Sequence, residues 1–94
     1  IQDHLDSPRI LRARLDMTLY HPYCIPHQEH TDMDIPHYSA VYYLNNSDGY
    51  TLFEDGTKIE SIANRLVTFP NGMKHTGTST TNASFRMVIN FNYV

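Results

Sequence analysis

The segment HQEHTDMDIPHYSAVYYLNN, His27 to Asn46, sets three histidines and several carboxylates directly before an apolar, tyrosine-rich run. Imidazoles and carboxylates are the side chains that hold a divalent first-row metal. A mononuclear iron site with open positions takes two neutral imidazoles and one carboxylate from one side. A His-x-Asp pair delivers two of those three ligands where a strand end turns into a loop. Such pairs occur at His4/Asp6 and at His30/Asp32, with His27/Glu29 beside the second. His4 and Asp6 belong to a polar start ahead of any strand pattern and read as a solvated segment. His27 is an odd number of residues from His30, so on one strand the two point to opposite faces and only one can face an interior. His37 reads as a surface residue opening the next strand, and His21, beside Pro22, as a turn residue. Two distant residues single out His30 and Asp32. His75 directly follows a turn, and Arg86, eleven residues later, opens the last strand pattern. Arginine is the side chain that grips a carboxylate with a bidentate fork.

The elements that must position these groups show a period of two. Leu11, Ala13, Leu15, Met17 and Leu19 alternate with Arg12, Arg14, Asp16, Thr18 and Tyr20, which is a strand. HPYCIP, with two prolines, is a turn or edge segment. His37–Leu44 is a strand closed by NNSDG, a turn in which Gly49 is expected at positive φ, with Asn46 and Asp48 as turn residues. YTLF, KIESI and LVTF follow as short strands, with Asn64 and Arg65 setting the turn before LVTF. PNGMK is a turn, HTGT a short strand, and SFRMVINFNY (Ser84–Tyr93) a long terminal strand. In that last strand Arg86, Val88 and Asn90 share one face, while Phe85, Met87, Ile89 and Phe91 take the other. A brief strand at Cys24–His30 completes about eight, with no helical period. Short strands at regular spacing predict one all-β domain over residues 1–94, an antiparallel jelly roll. Residues 1–9 read as a flexible or partial N-terminal segment.

Bulk properties narrow the function classes. Ninety-four residues make one small domain. A formal charge of -3 carries no basic footprint, which argues against nucleic-acid binding. The sequence has neither an apolar run long enough to span a membrane nor a leader pattern at its start. Cys24 is the one cysteine, so neither a disulfide framework within the chain nor a thiolate zinc cluster is available. That points to a reducing, cytoplasmic setting.

Together, HTD, VYYLNNSDGYTLF, ANRLVTFPNGMKH and FRMVINF resemble the iron(II)- and 2-oxoglutarate-dependent dioxygenases, in the prolyl-hydroxylase-like branch and especially its small phage and bacterial members. The resemblance runs from about Leu11 to the end. It implies a double-stranded β-helix, a cupin-like jelly-roll barrel with flanking helices absent or minimal. It also implies Fe(II) held by His30, Asp32 and His75. Arg86 would bind the distal carboxylate of 2-oxoglutarate with support from Tyr43, and Tyr20 and Asn90 would line the same pocket; Thr51 and Phe53 would form barrel wall. No catalytic residue is implied beyond the metal centre. The implied reaction couples decarboxylation of 2-oxoglutarate to succinate and CO2 with hydroxylation of a substrate by O2, with ascorbate as a candidate reductant. A peptidyl proline, a free amino acid and a modified nucleotide all remain open as substrate. Because neutral imidazoles are needed, activity is expected to fade as pH falls through histidine protonation. More residues separate His75 from Arg86 than in much of the family, and the TGTSTTNAS loop takes up the difference. The implied setting is the bacterial cytoplasm, with phage as a source.

Two other functions fit the same residues: a non-catalytic metal-binding cupin-like barrel, and a phage structural module whose histidines hold an assembly through a metal. A simple metal store has no need of a carboxylate clamp, so Arg86 and Tyr43 separate the first from an oxygenase. Turning Tyr20, Tyr43 and Arg86 inward sends Leu11, Ala13, Leu15, Met17 and Leu19 outward, together with Ala40, Tyr42, Leu44 and the Phe85–Phe91 stripe. A surface that apolar predicts either an upstream segment that covers it or a homodimer built on it.

Overall fold

The computed structural model describes residues 9–25, 38–70 and 72–94. His30 and Asp32 lie outside the described residues, as do His4, Asp6, His27, Glu29, Asp34 and His37. The described residues form seven strands and no helix: β1 (Ile10–Leu19), β2 (Tyr38–Tyr43), β3 (Ser47–Phe53), β4 (Lys58–Ser61), β5 (Leu66–Pro70), β6 (His75–Gly77) and β7 (Phe85–Tyr93). Among them no helix is long and apolar enough to cross a membrane. Two antiparallel sheets face each other, one in the order β1-β7-β2-β5 and the other β4-β3-β6. The predicted brief strand at Cys24–His30 is not formed at its start. Cys24 and Ile25 are irregular, and Ile25 is held instead by the Ser79 hydroxyl, which accepts its N–H at 3.0 Å. The rest of that segment lies outside the described residues.

Pairing register decides which side chains face the space between the sheets. Thr18 lies opposite Arg86, Asp16 opposite Val88 and Arg14 opposite Asn90; Met17–Met87 and Leu15–Ile89 occupy the alternate rungs. Side chains alternate strictly along a strand, so the polar set of β1 faces inward with the Arg86 stripe. A half-buried sheet ordinarily does the reverse. The true core is correspondingly small. Val41, Tyr43, Phe53, Phe69 and Val88 are buried together, with Ile59, Val67 and Met73 packed against them. Phe53 and Phe69 meet edge to face at 5.0 Å, a geometry that adds about 1 kcal/mol beyond the area it buries.

The turns place positive φ at Gly56 and Gly72 (both 90°) and at Asn64 (70°). Asn64 holds the turn before β5, as its sequence context predicted, and its side-chain oxygen accepts the Tyr42 hydroxyl at 2.5 Å. Gly49 and Asp48 are not turn residues. Both lie inside β3, and Gly49 has no positive φ. Asp48 instead fastens the long loop before β7. Its carboxylate accepts the Thr81 N–H at 2.7 Å, the Thr80 hydroxyl at 3.2 Å and the Thr81 hydroxyl. Its own N–H donates to the Asn82 side chain at 2.9 Å. These bonds, led by that from the Thr81 hydroxyl, hold the Asp48 carboxyl below its usual range. A depressed folded-state pKa stabilises the fold above the ordinary carboxylate range, and the contribution is lost as pH falls through the folded value. Thermal melts between about pH 3 and pH 6 are therefore expected to fall more steeply for wild type than for Asp48→Asn. Parallel slopes would show that Asp48 is not the acid-sensitive fastening.

Candidate functional site

Between the sheets lies a cavity of about 300 Å³. It is lined by Arg14, Asp16, Met17 and Thr18 of β1, Val41 of β2, Thr51 of β3, His75, Thr76 and Gly77 of β6, and Arg86, Val88 and Asn90 of β7. Of the residues named from sequence, His75, Arg86, Asn90 and Thr51 thus share one space. Tyr43 stands directly behind it.

Arg86 is 4% exposed. Its Nε donates to the Ser61 hydroxyl at 2.7 Å and its Nη2 to the Thr51 hydroxyl at 3.1 Å. The guanidinium also sits 5.7 Å from the centre of the Tyr43 ring. Burial pulls its pKa below the ordinary arginine value, yet a guanidinium stays charged inside a protein. The ion pair formed among the described residues joins Arg14 to Asp16 at 2.9 Å; none of their carboxylates pairs with Arg86. A buried cation costs several kcal/mol of lost hydration, and two hydroxyls, an aromatic face and the charge of Asp16, which lines the same cavity without pairing with it, offset only part of it. An anion entering the cavity would complete the pairing.

Tyr43 is fully buried, and its hydroxyl shares a hydrogen bond with Thr51 at 2.7 Å. Burial raises its pKa, although the Thr51 bond and the nearby Arg86 oppose the rise. Tyr43 is therefore a neutral phenol that fixes Thr51, which in turn fixes the arginine fork. Tyr43→Phe is expected to lower stability by about 1 to 2 kcal/mol through the orphaned partner, seen as a melting temperature lower by about 5 to 10 °C. No change in melting temperature would mean that Thr51 finds another partner and that the tyrosine hydroxyl is not structural.

His75 is 5% exposed and packs edge to face on Phe69, with ring centres 4.7 Å apart. Its Nδ1 lies 3.0 Å from the Met73 carbonyl. A carbonyl only accepts, so Nδ1 carries the proton, and in the neutral ring the lone pair is on Nε2. A backbone carbonyl holding the far nitrogen is how proteins orient a ligating imidazole. His75 thus fits a metal. Among the described residues no three His, Cys, Asp or Glu side chains gather into a metal site. The other two members of the expected ligand set, His30 and Asp32, lie outside those residues.

Asn90 lines the cavity and donates to Asp16, so it builds the wall around the Arg14–Asp16 pair. Tyr20 is placed elsewhere. It is 57% exposed and lines a separate shallow cleft with Thr81, Asn82, Ala83 and Ser84, joined to Thr80 by a lone parallel bridge. The inward face of β1 ends at Thr18, opposite Arg86, and the chain has left the sheet by Tyr20.

Sequence reasoning missed the arginine's seat. Ser61 had no distinguishing signal, being one hydroxyl among many. Gly49 and Gly77 flank Arg86 so closely that a Cβ on Gly49 would lie 2.6 Å from Arg86 Cδ, and one on Gly77 would lie 2.8 Å from its Nη1. Nothing local announces that requirement, because neither glycine has a left-handed backbone.

No protein-family model matches the chain, and no curated protein does. Solved structures do match. A protein of Neisseria meningitidis superposes with a TM-score of 0.62 at 12% identity, over 99% of this chain and 95% of that one. A cupin-2 domain containing protein from Shewanella frigidimarina gives 0.58 at 14% identity, over 96% and 88%. An RmlC-like cupin protein from Desulfovibrio desulfuricans gives 0.57 at 14% identity, over 84% and 81%. At such identities the likeness is one of fold, and with two antiparallel sheets closed over a polar cavity it makes this chain a cupin-type jelly-roll barrel.

Proposed function

We propose that this barrel is an Fe(II)- and 2-oxoglutarate-dependent oxygenase. Arg86 takes the distal carboxylate of the keto acid, and His75 is one iron ligand beside His30 and Asp32. One observation carries the reading: a buried guanidinium with no carboxylate partner among the described residues opens into the cavity that His75 lines. A dicarboxylate keto acid has the anionic end that such a fork lacks. When bound, the metal would supply O2 activation: O2 is the oxidant, 2-oxoglutarate gives up two electrons as it becomes succinate and CO2, and the substrate C–H bond gives up the other two and becomes C–OH. The chain supplies geometry. Ser61 and Thr51 aim the fork, neutral Tyr43 fixes Thr51, and the Met73 carbonyl fixes the His75 ring. Val41 and Val88 make part of the cavity wall apolar, which strengthens the charge pairing by excluding water. A peptidyl proline is the first substrate to try.

A second reading is a cupin-type barrel that binds an anion or a metal without turnover. Its support is the near full-length match to cupins together with an Arg86 seat that needs no metal to hold a carboxylate. The experiment that separates the two is an anaerobic titration of Fe(II)-loaded protein with 2-oxoglutarate, followed by admission of O2. A visible charge-transfer band during titration, then succinate after O2, supports the oxygenase. Keto-acid binding of equal affinity with and without iron, and no succinate, would replace it with the binding barrel.

A further inference from the structure

Apart from Met17, which also borders the cavity, the outer face of the four-stranded sheet takes no part in it. Register sends outward Ile10, Ala13, Leu15, Met17 and Leu19 of β1 and the alternate residues of β7, β2 and β5 beside them. None of these positions carries a charge. Leu15, Met17 and Leu19 are 59, 57 and 64% exposed, and Ile10, Tyr38 and Phe85 are also exposed. With roughly 200 Å² for a large apolar side chain, these six alone leave about 600 Å² open. That is the upper end of what a monomer carries, and the half-buried β7 side chains between them extend it toward the ~800 Å² that each partner contributes to a standard interface.

We propose that a second copy of this chain covers this face, two sheets packing back to back about a twofold axis. Three observations favour that occupant. The area matches one half of a stable dimer. The lack of charge suits the depleted centre of a homodimer interface rather than the rim of a polar partner. The relief is self-complementary. Ala13 and Ala40 flank Phe91 in one rung, leaving hollows, while Leu15, Ile89 and Tyr42 form a ridge in the next; a twofold sets ridge into hollow on both copies. The Neisseria structure is covered over 95% of its length by this chain, so the fold exists there with little additional chain to lay over this sheet. Packed this way, the two cavities open on opposite sides. β7 carries Arg86 on one face and the contact on the other.

Sedimentation velocity and light scattering on the full chain, from about 1 to 100 µM, test the proposal across the usual affinity range of such interfaces. The expected result is a dimer of twice 10.9 kDa and a monomeric Leu15→Glu/Met17→Glu variant, its association weakened at least about 30-fold, the size of a hot-spot loss. Both side chains are more than half exposed already, so the variant is expected to keep its strand circular dichroism; if it unfolds, the wild-type dilution series decides alone. A wild-type monomer throughout that range overturns the proposal and leaves the face to another segment or another protein. So does a dimer that survives in a folded variant, or an assembly larger than a dimer, because a twofold contact closes on itself.

Discussion

Arg86→Leu is expected to lose affinity for 2-oxoglutarate by about 30-fold or more while the protein melts within about 8 °C of wild type. The two halves have separate physical origins. A desolvated guanidinium–carboxylate pair is worth about 2 to 5 kcal/mol when one partner is removed, and each 1.4 kcal/mol is about tenfold in affinity. In the empty protein the same guanidinium is a buried cation. Its lost hydration is offset only in part by the bonds to Ser61 and Thr51 and by the Tyr43 ring, so the charge adds little to the stability of the fold. Replacing a buried charge by an apolar side chain is often neutral or stabilising, and about 1 kcal/mol moves the melting temperature of so small a domain by about 4 to 8 °C. Calorimetric titration and thermal melts read both quantities on one preparation. Unchanged keto-acid affinity would remove Arg86 from the proposed site. A fall of about 15 °C or more in melting temperature would make it a structural arginine.

The glycines beside it give the second large effect. A Cβ on Gly49 would lie 2.6 Å from Arg86 Cδ and 2.8 Å from the Ser79 carbonyl oxygen. An arginine stem by itself can move aside, but a backbone carbonyl in a loop fastened by Asp48 does not yield as readily. Gly49→Ala is expected to cost about 3 kcal/mol, roughly 12 to 20 °C in melting temperature. Gly77→Ala differs in kind. Its added Cβ meets the arginine tip, with Nη1 at 2.8 Å and the three nearest atoms all from the Arg86 guanidinium. A side-chain end can move, so stability drops by only about 1 kcal/mol while the displaced fork weakens 2-oxoglutarate binding by about tenfold. The Arg86→Leu background is the control. There the Gly77→Ala penalty should vanish, since leucine does not reach that position, while most of the Gly49→Ala penalty persists against Ser79. Coupling of that pattern is what shared contacts produce. Additive effects throughout would mean that the glycines serve the backbone alone.

Much of this molecule was legible before any coordinates. The alternation from Leu11 to Tyr20 and from Ser84 to Tyr93 predicts strands, and β1 and β7 lie within a residue of those bounds. Strand period depends only on the alternation of side chains across the pleat, which is a local property. The same alternation put Arg86, Val88 and Asn90 on one face and Tyr42 and Tyr43 on opposite faces, and the register bears both out. The distant His75 and the Arg86 fork were likewise readable as residue types and do share one cavity. Tyr20 illustrates the limit. Its parity matched the inward face, but whether a strand still faces the cavity at its last residue depends on where the opposing sheet ends.

Tertiary structure alone decided three things. Asp48 and Gly49 have turn chemistry in a turn-like string, and local propensity has no means of knowing that β3 begins at Ser47 and that Asp48 will be spent on a loop more than thirty residues away. Gly49 and Gly77 are required by an arginine that reaches them across the barrel, a steric condition with no trace in their own neighbourhood. That the apolar stripe of β1 lies on the outside was inferable only by assuming which tyrosine faces in. The reason is common to all three. Sequence pattern records what each segment prefers along its own backbone, whereas the arginine's seat, the loop's fastening and the exposed face exist only where segments far apart in the chain meet.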